Sequence, residues 1–345
     1  MQSRSVQISS VQISSVQISS VRINVIRPGL STSVQDGGRE GYYHLGIPPS
    51  GGLDQYSLRL ANVLVGNPAQ AAVLEMTLLG PELQFEGDAL VAVCGARMPP
   101  LLDGEAMPMN TTFAVRSGQV LRFTPTTAGC RAYLAVAGGI AVPEVLDSRS
   151  TYTLGALGGY QGRRLAANDA LPVGMPIRQV APDITVPADC LQPLEKQVTL
   201  RMVTGLYIHR LTPAAIEQFF ADEWRVGTEA DRIGYRLKGG APLAFEPRTP
   251  PFGAGSDPSN IVDACYPIGS VQVPGGLEPI ILLRDAVSGG GYMTLGTVIS
   301  SDLDIIGQLQ PHYAVRFAPV SLEEALAARQ HYRRRLERLT QLLTN

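Results

Sequence analysis

The chain has 345 residues and a formal net charge of −2. That length is comfortable for two domains, and so small a charge argues against a general nucleic-acid surface or an anionic-membrane surface. No apolar run approaches the ~20 residues of a membrane-spanning helix. The 36 Gly and 26 Pro, set among many short apolar runs, predict a mainly β chain with a few short helices.

In chain order, residues 1–20 carry VQISS three times in tandem. The unit of five does not match the strand period of two, so this tract reads as an unpaired tail with an aggregation liability, and the fold should begin near Val21. Asp36-Gly37-Gly38 is a tight-turn signal that would hold Asp36, Arg39 and Glu40 near a loop tip. Asp54 can cap a helix whose Tyr56, Leu60 and Leu64 share one face and which Gly66-Asn67-Pro68 stops. Strand-like runs follow at 71–79, 82–85, 89–94, 120–123 and 131–137, the spacing of a sandwich or barrel. A second polar loop, 137–151, carries Arg149. Residues 176–197, rich in Pro and Asp, mark a domain boundary. A new series starts at 198–203, with Thr212 capping a helix that opens on Pro213. Further on come Asp231-Arg232 with Arg236, a strand bearing Gln272, the apolar run 280–283 ahead of Asp285, and Gly290-Gly291-Tyr292. Ser321 and Glu324 form a capping box for a helix to about Leu343, whose arginines read as a solvated face, with partner binding as the minority reading.

The residues alone leave alternatives open. Asp36 and Arg39 fit either a surface ion pair at a hairpin tip or a bidentate anion site. Asp231, Arg232 and Arg236 fit either a salt-bridged turn or positive charge set against an anionic intermediate. Asp285 is either a strand end or a carboxylate beside a Gly-rich loop. His209 is the best general acid–base candidate, although a lone histidine at a strand end is more often structural. Lysine occurs only at 196 and 238, and no G-x-x-x-x-G-K-[ST] loop or biotinylated Met-Lys-Met hairpin is present, so a P-loop and covalent biotin on this chain are not expected. Cys94, Cys130, Cys190 and Cys265 form no metal-ligand spacing and read as buried reduced thiols of a cytoplasmic protein, with no metal.

Pro28, Gly29, Thr32, Val34-Gln35-Asp36, Gly38, Arg39 and Gly41, then Gly46, Gly51 and Asp54, then Ala61-Asn62 and Leu64 to Asn67, resemble the biotin-dependent carboxyltransferase family, also called the allophanate hydrolase subunit 2 family. Gly138 to Pro143, Leu146 to Thr151, Asp231 to Leu237 and the segment 269–292 continue the likeness over about residues 21–320. Asp147 stands where the family has glycine, Glu278 where it has glutamine, and Met293 follows Tyr292 where it has proline. The resemblance implies two tandem cyclophilin-like β-barrel domains, 21–190 and 197–320, then a C-terminal helix, 321–345.

Because the family includes the C component of the prokaryotic 5-oxoprolinase, the resemblance also implies one part of an ATP-dependent amide hydrolase. It would open the small molecule 5-oxoproline to glutamate with a sister B component and an A component, be inactive without them, and share ATP binding with a partner. Asp36, Arg39 and Asp285 would be catalytic, with His209 added on its own chemistry alone; Arg149, Asp231, Arg232, Arg236, Gln272, Gly290 and Tyr292 would bind substrate or phosphate. Two other functions stay open: transfer of CO2 from carboxybiotin to urea or a related amide, and a regulatory module acting on a kinase-inhibitor partner.

Overall fold

The computed structural model describes residues 18–249 and 252–344. Most of the VQISS tract lies outside them, but the first strand already begins at Ile18. The first half runs β1 (Ile18–Arg27), β2 (Ser31–Gln35), α1 (Gln55–Leu64), β3 (Val73–Thr77), β4 (Glu82–Glu86), β5 (Ala89–Arg97), β6 (Pro100–Leu102), β7 (Glu105–Ala106), β8 (Thr112–Val115), β9 (Val120–Phe123), β10 (Ala128–Val136) and β11 (Ala170–Gly174). The second runs β12 (Gln197–Thr204), α2 (Pro213–Ala221), β13 (Trp224–Val226), β14 (Gly234–Lys238), β15 (Asn260–Cys265), β16 (Ser270–Gln272), β17 (Ile280–Leu282), β18 (Gly289–Tyr292), β19 (Thr294–Val298), α3 (Leu303–Gly307), β20 (Ala314–Pro319) and α4 (Leu322–Thr344). The chain is thus mainly β with a few short helices; only the second half closes as a barrel, and the first is built of two sheets.

In the first half, a six-stranded sheet (β11-β1-β4-β9-β6-β7) faces a five-stranded one (β2-β3-β10-β5-β8). Ile23, Leu83 and Phe85 from one meet Leu74, Val91 and Leu134 from the other in a single core. The second half closes as the barrel β12-β19-β16-β17-β14-β13-β20. Period-two burial shows why β12 lines it: Val198, Leu200 and Met202 are buried while Gln197, Thr199 and Arg201 are exposed. β15 and β18 form a separate two-stranded ribbon. Of the four cysteines, three are buried, but Cys265 is exposed, because it sits on this ribbon. The stretch between β11 and β12 stays with the first half: Val186 N donates to Asn110 O at 2.9 Å, and Val186 and Cys190 join the cluster around α1.

The helix caps form as their sequences dictate. Asp54 accepts from Ser57 N, Thr212 from Ala215 N, and Ser321 and Glu324 exchange bonds reciprocally. Two local expectations are corrected. Asp36-Gly37-Gly38 is not a hairpin tip: β2 has β3 as its partner, and the chain leaves Asp36 through a 3-10 turn at Tyr43–Leu45 towards α1. Nor is α4 merely a solvated helix. Arg333 and Arg334 are exposed, but Tyr332, Leu336 and Leu339 pack on α1, and the Arg335 guanidinium lies 4.6 Å over the Tyr56 ring. The chain therefore leaves the second barrel and returns to the first half. Leu339 is 1% exposed, so Leu339→Ala is expected to lower the unfolding free energy by about 2–5 kcal/mol in urea denaturation.

Candidate functional site at the junction of the halves

Glu75 sits inside β3 and is buried, so its charge needs partners. Its Oε2 accepts from Leu53 N at 2.8 Å and Tyr133 OH at 2.9 Å. Its Oε1 meets Arg232 Nη1 at 2.6 Å and lies 3.6 Å from Arg131 Nε. Burial pushes the Glu75 carboxyl up, but Arg232 and Arg131 outweigh it and hold it below the usual carboxylate range. Arg232 comes from the second half. It grips Asp285 through Nε and Nη2 at 2.8 and 3.1 Å, and Nη2 also donates to Gly51 O at 2.7 Å. Arg131 reaches the other way, to Tyr235 OH at 2.5 Å and Gly307 O at 2.8 Å. Two carboxylates and two guanidiniums thus balance across the junction.

Asp36 pins two loops together. Gly38 N and Ser148 Oγ donate to it at 2.8 Å, and Ser150 Oγ and Arg149 N at 2.5 Å. With its lone pairs occupied it is a scaffold and not a free base. Arg39 lies in the same loop and is 1% exposed. Nε donates to Val145 O at 3.0 Å and Nη2 to Ser150 O at 2.9 Å, while Nη1 is buried without a partner. Burial lowers the Arg39 pKa, with Asp36 and Asp285 pulling the other way. Arg284, beside Asp285, donates to Ser50 O and, at 3.0 Å, to Gly37 O. Only glycine fits at 38: φ is +109°, and a Cβ would lie 2.3 Å from Arg284 Nη2. Asp147 has φ of 59°, a conformation aspartate tolerates, and accepts from Tyr42 OH at 2.9 Å.

The junction therefore gathers Asp36, Arg39, Arg232 and Asp285. Arg149 joins only through its backbone; its side chain bonds Val142 O and Glu144. Asp231 is exposed and does not pair with Arg232; its Oδ1 caps the turn by accepting from Ile233 N and Gly234 N. Arg236 faces Glu278 at 3.1 Å, half-exposed. Gln272 is buried on β16 beside Tyr266, whose hydroxyl bridges the backbone N and O of Tyr292. Gly290 pairs with Ala264 in the ribbon, and Tyr43 OH donates to Tyr266 O at 2.6 Å, so the ribbon borders the junction. His209 is not brought to this cluster. It is exposed in a 3-10 turn between β12 and α2 and, among the described residues, has no hydrogen-bond or ion-pair partner. Glu75, Arg131, Ser50 and Arg284 are the residues that sequence reasoning missed. A lone acid inside the apolar run Val73-Leu-Glu-Met76 was the available signal for Glu75. Among the described residues, no group of three or more His, Cys, Asp or Glu could hold a metal ion. A cavity of about 450 Å³ lined by residues such as Leu90, Val115 and Val180 shares no residue with the junction cluster.

Behind the cluster, α1 begins at Asp54, whose carboxylate accepts from Ser57 N at 2.8 Å and from Ser57 Oγ and Gln308 Nε2 at 2.6 Å. Asp304, in α3, accepts from Gln55 N at 2.8 Å and Tyr332 OH at 2.6 Å. Burial, then the nearby Asp304 charge, pushes Asp54 up to about 7. Burial also raises Asp304, against the pull of Tyr332, Arg284 and Arg59.

Against known proteins, a family model described as a carboxyltransferase domain, subdomain A and B, matches residues 45–319. The chain is 36% identical over 321 residues to the C component of the Escherichia coli (strain K12) 5-oxoprolinase, covering 93% of this chain and 98% of that protein. It is 35% identical over 308 residues to the urea amidolyase of Saccharomyces cerevisiae, covering 86% of this chain but 16% of that protein. The chain thus spans only a small part of the yeast urea amidolyases it matches. The solved Kluyveromyces lactis urea amidolyase superposes with a TM-score of 0.86 at 36% identity, over 92% of this chain and 20% of that one.

A raised carboxylate pKa in the folded state favours folding while the group is protonated. The contribution of Asp54 is full below its ordinary value of 3.8 and is lost as pH rises through about 7. Asp54→Asn is therefore expected to flatten the stability–pH curve in that window relative to the parent protein, measured by thermal unfolding.

Proposed function

This chain belongs to the carboxyltransferase-domain family, and from that premise we propose that it is the C-type component of an ATP-dependent 5-oxoprolinase, opening 5-oxoproline to glutamate together with a sister B component and an A component. The observation that carries the reading is the end-to-end match to the E. coli C component, of which it covers 98%. Nucleophilic attack on the lactam carbonyl, which amide resonance keeps planar and unreactive, moves negative charge onto its oxygen. A fixed cation in a dry site stabilises that charge strongly. Arg39 Nη1 is such a group: buried, cationic, oriented by two main-chain carbonyls, and with one N–H side unpartnered.

In this reading Asp36 is a positioning residue, because its four donors leave it nothing to offer a substrate. Asp285 neutralises Arg232 and adds its field to the Arg39 site. Among this chain's groups, Arg39 Nη1 also fits a phosphoryl or carboxylate oxygen. Since the chain has no phosphate-cradling P-loop, the proposal assigns the rest of the ATP site to the partner. We also propose that the complex is cytoplasmic, in keeping with its four cysteines all being free.

A second reading, CO2 transfer from carboxybiotin to a urea-like amide, is favoured by the TM-score of 0.86 with the K. lactis urea amidolyase. Co-expression with the cognate B and A components separates the two. The first predicts ATP- and 5-oxoproline-dependent glutamate release, reduced by about 10²-fold or more in Arg39→Lys. The second predicts no glutamate and instead, once a carboxylated biotin carrier is supplied as well, urea-dependent transfer of its CO2 to urea. Equal turnover by Arg39→Lys and the parent complex would remove Arg39 from both.

A further inference from the structure

Pro49-Ser50-Gly51 is held carbonyl by carbonyl. Pro49 O accepts from Arg39 N at 2.6 Å, Ser50 O from the Arg284 guanidinium, and Gly51 O from Arg232 Nη2 at 2.7 Å. Ser50 N in turn donates to Arg284 O at 3.0 Å. Within this frame Ser50 has φ of 52°, a left-handed conformation that suits glycine and strains a residue with a Cβ. The following Gly51 has φ of +84°, so a glycine at 50 would satisfy the turn better than serine does. The serine is also fully buried, 0% exposed, yet its hydroxyl has no hydrogen-bond partner. A buried hydroxyl without a partner is a cost, not a support, and the backbone conformation adds to that cost.

Neither folding nor turn geometry explains this side chain. Strain that the surroundings over-determine is a mark of functional positions. Ser50 Oγ has a companion of the same kind one contact away. Arg39, whose backbone N–H binds Pro49 O, carries the unpartnered buried Nη1. Two of the five buried side-chain polar atoms without a hydrogen-bond partner among the described residues thus fall on touching segments of one loop.

We propose that Ser50 is a further substrate-touching residue, its hydroxyl donating to the carbonyl oxygen of an amide or lactam. This rests on the reading of the junction as an amide-processing site. The Ser50 hydroxyl and Arg39 Nη1 are both buried, so a substrate reaches them only if the segment 49–51 is displaced.

The test is a pair of substitutions in the full chain, Ser50→Gly and Ser50→Ala, each reconstituted with the partner components and offered 5-oxoproline or urea. Ser50→Gly relieves the backbone and removes the hydroxyl; Ser50→Ala keeps the backbone and removes only the hydroxyl. The proposal expects Ser50→Gly to raise the Tm, Ser50→Ala to leave it no lower than the parent's, and both to lose at least about tenfold in kcat on the substrate that the parent complex turns over. Activity within twofold of the parent in either variant overturns the proposal. So does a lower Tm for Ser50→Ala, because the hydroxyl would then be a structural partner. If the parent complex turns over neither substrate, the amide-processing reading fails by itself, and the Tm pair alone decides whether Ser50 is held against its own stability.

Discussion

The charge of Glu75 governs how this molecule is assembled. A carboxylate in the middle of a buried strand has to be protonated or matched; the first half supplies two neutral donors, Leu53 N and Tyr133 OH, but among the described residues its one ion-pair partner there is Arg131, at 3.6 Å. The close partner, Arg232 at 2.6 Å, belongs to the other half. Arg232 in turn needs Asp285 to balance it. The two halves are therefore joined by an ionic requirement that an apolar interface would not impose, and the geometry is fixed to the length of one guanidinium. The loops carrying Asp36, Arg39, Ser50 and Arg284 meet where they do because Arg232 also binds Gly51 O and Arg284 binds Ser50 O.

Around that centre, α1 acts as the hub. Its N-terminus is capped at the junction, α3 of the second half supplies Asp304 to Gln55 N, and α4 comes back to lay Tyr332 and Leu339 on its outer face. Gly307 approaches so closely that a Cβ there would lie 2.9 Å from Leu53 C. Such packing makes the second half a fixed wall of the site and not a loosely tethered neighbour. In the first half, Val145 O and Ser150 O hold the Arg39 guanidinium in place while leaving Nη1 unpartnered, which is what electrostatic stabilisation of a developing charge demands.

What the sequence revealed was local. Asp54, Thr212 and the Ser321–Glu324 box each cap a helix through bonds spanning three residues, so spacing alone announced them. The matching letters from Pro28 to Asn67 carried the family and the mainly β architecture. Partners distant in the chain were hidden. Asp231 adjoins Arg232 in sequence, yet Arg232 turns to Glu75, 157 positions away. Asp36 looked like a surface turn because nothing nearby foretold Ser148 and Ser150 arriving to bond it. α4 read as a solvated helix, because nothing within it foretold that the chain would return and lay Tyr332 and Leu339 on α1. His209 drew attention through its chemistry alone, and chemistry does not fix position.

The central claim is that the Glu75–Arg232 bridge holds the two halves in register and so builds the site. A double-mutant cycle with Glu75→Gln, Arg232→Gln and the pair, read by urea unfolding, addresses it directly. The account predicts a coupling free energy of about 2 kcal/mol or more between the two positions. Effects that add to within about 0.5 kcal/mol would contradict it.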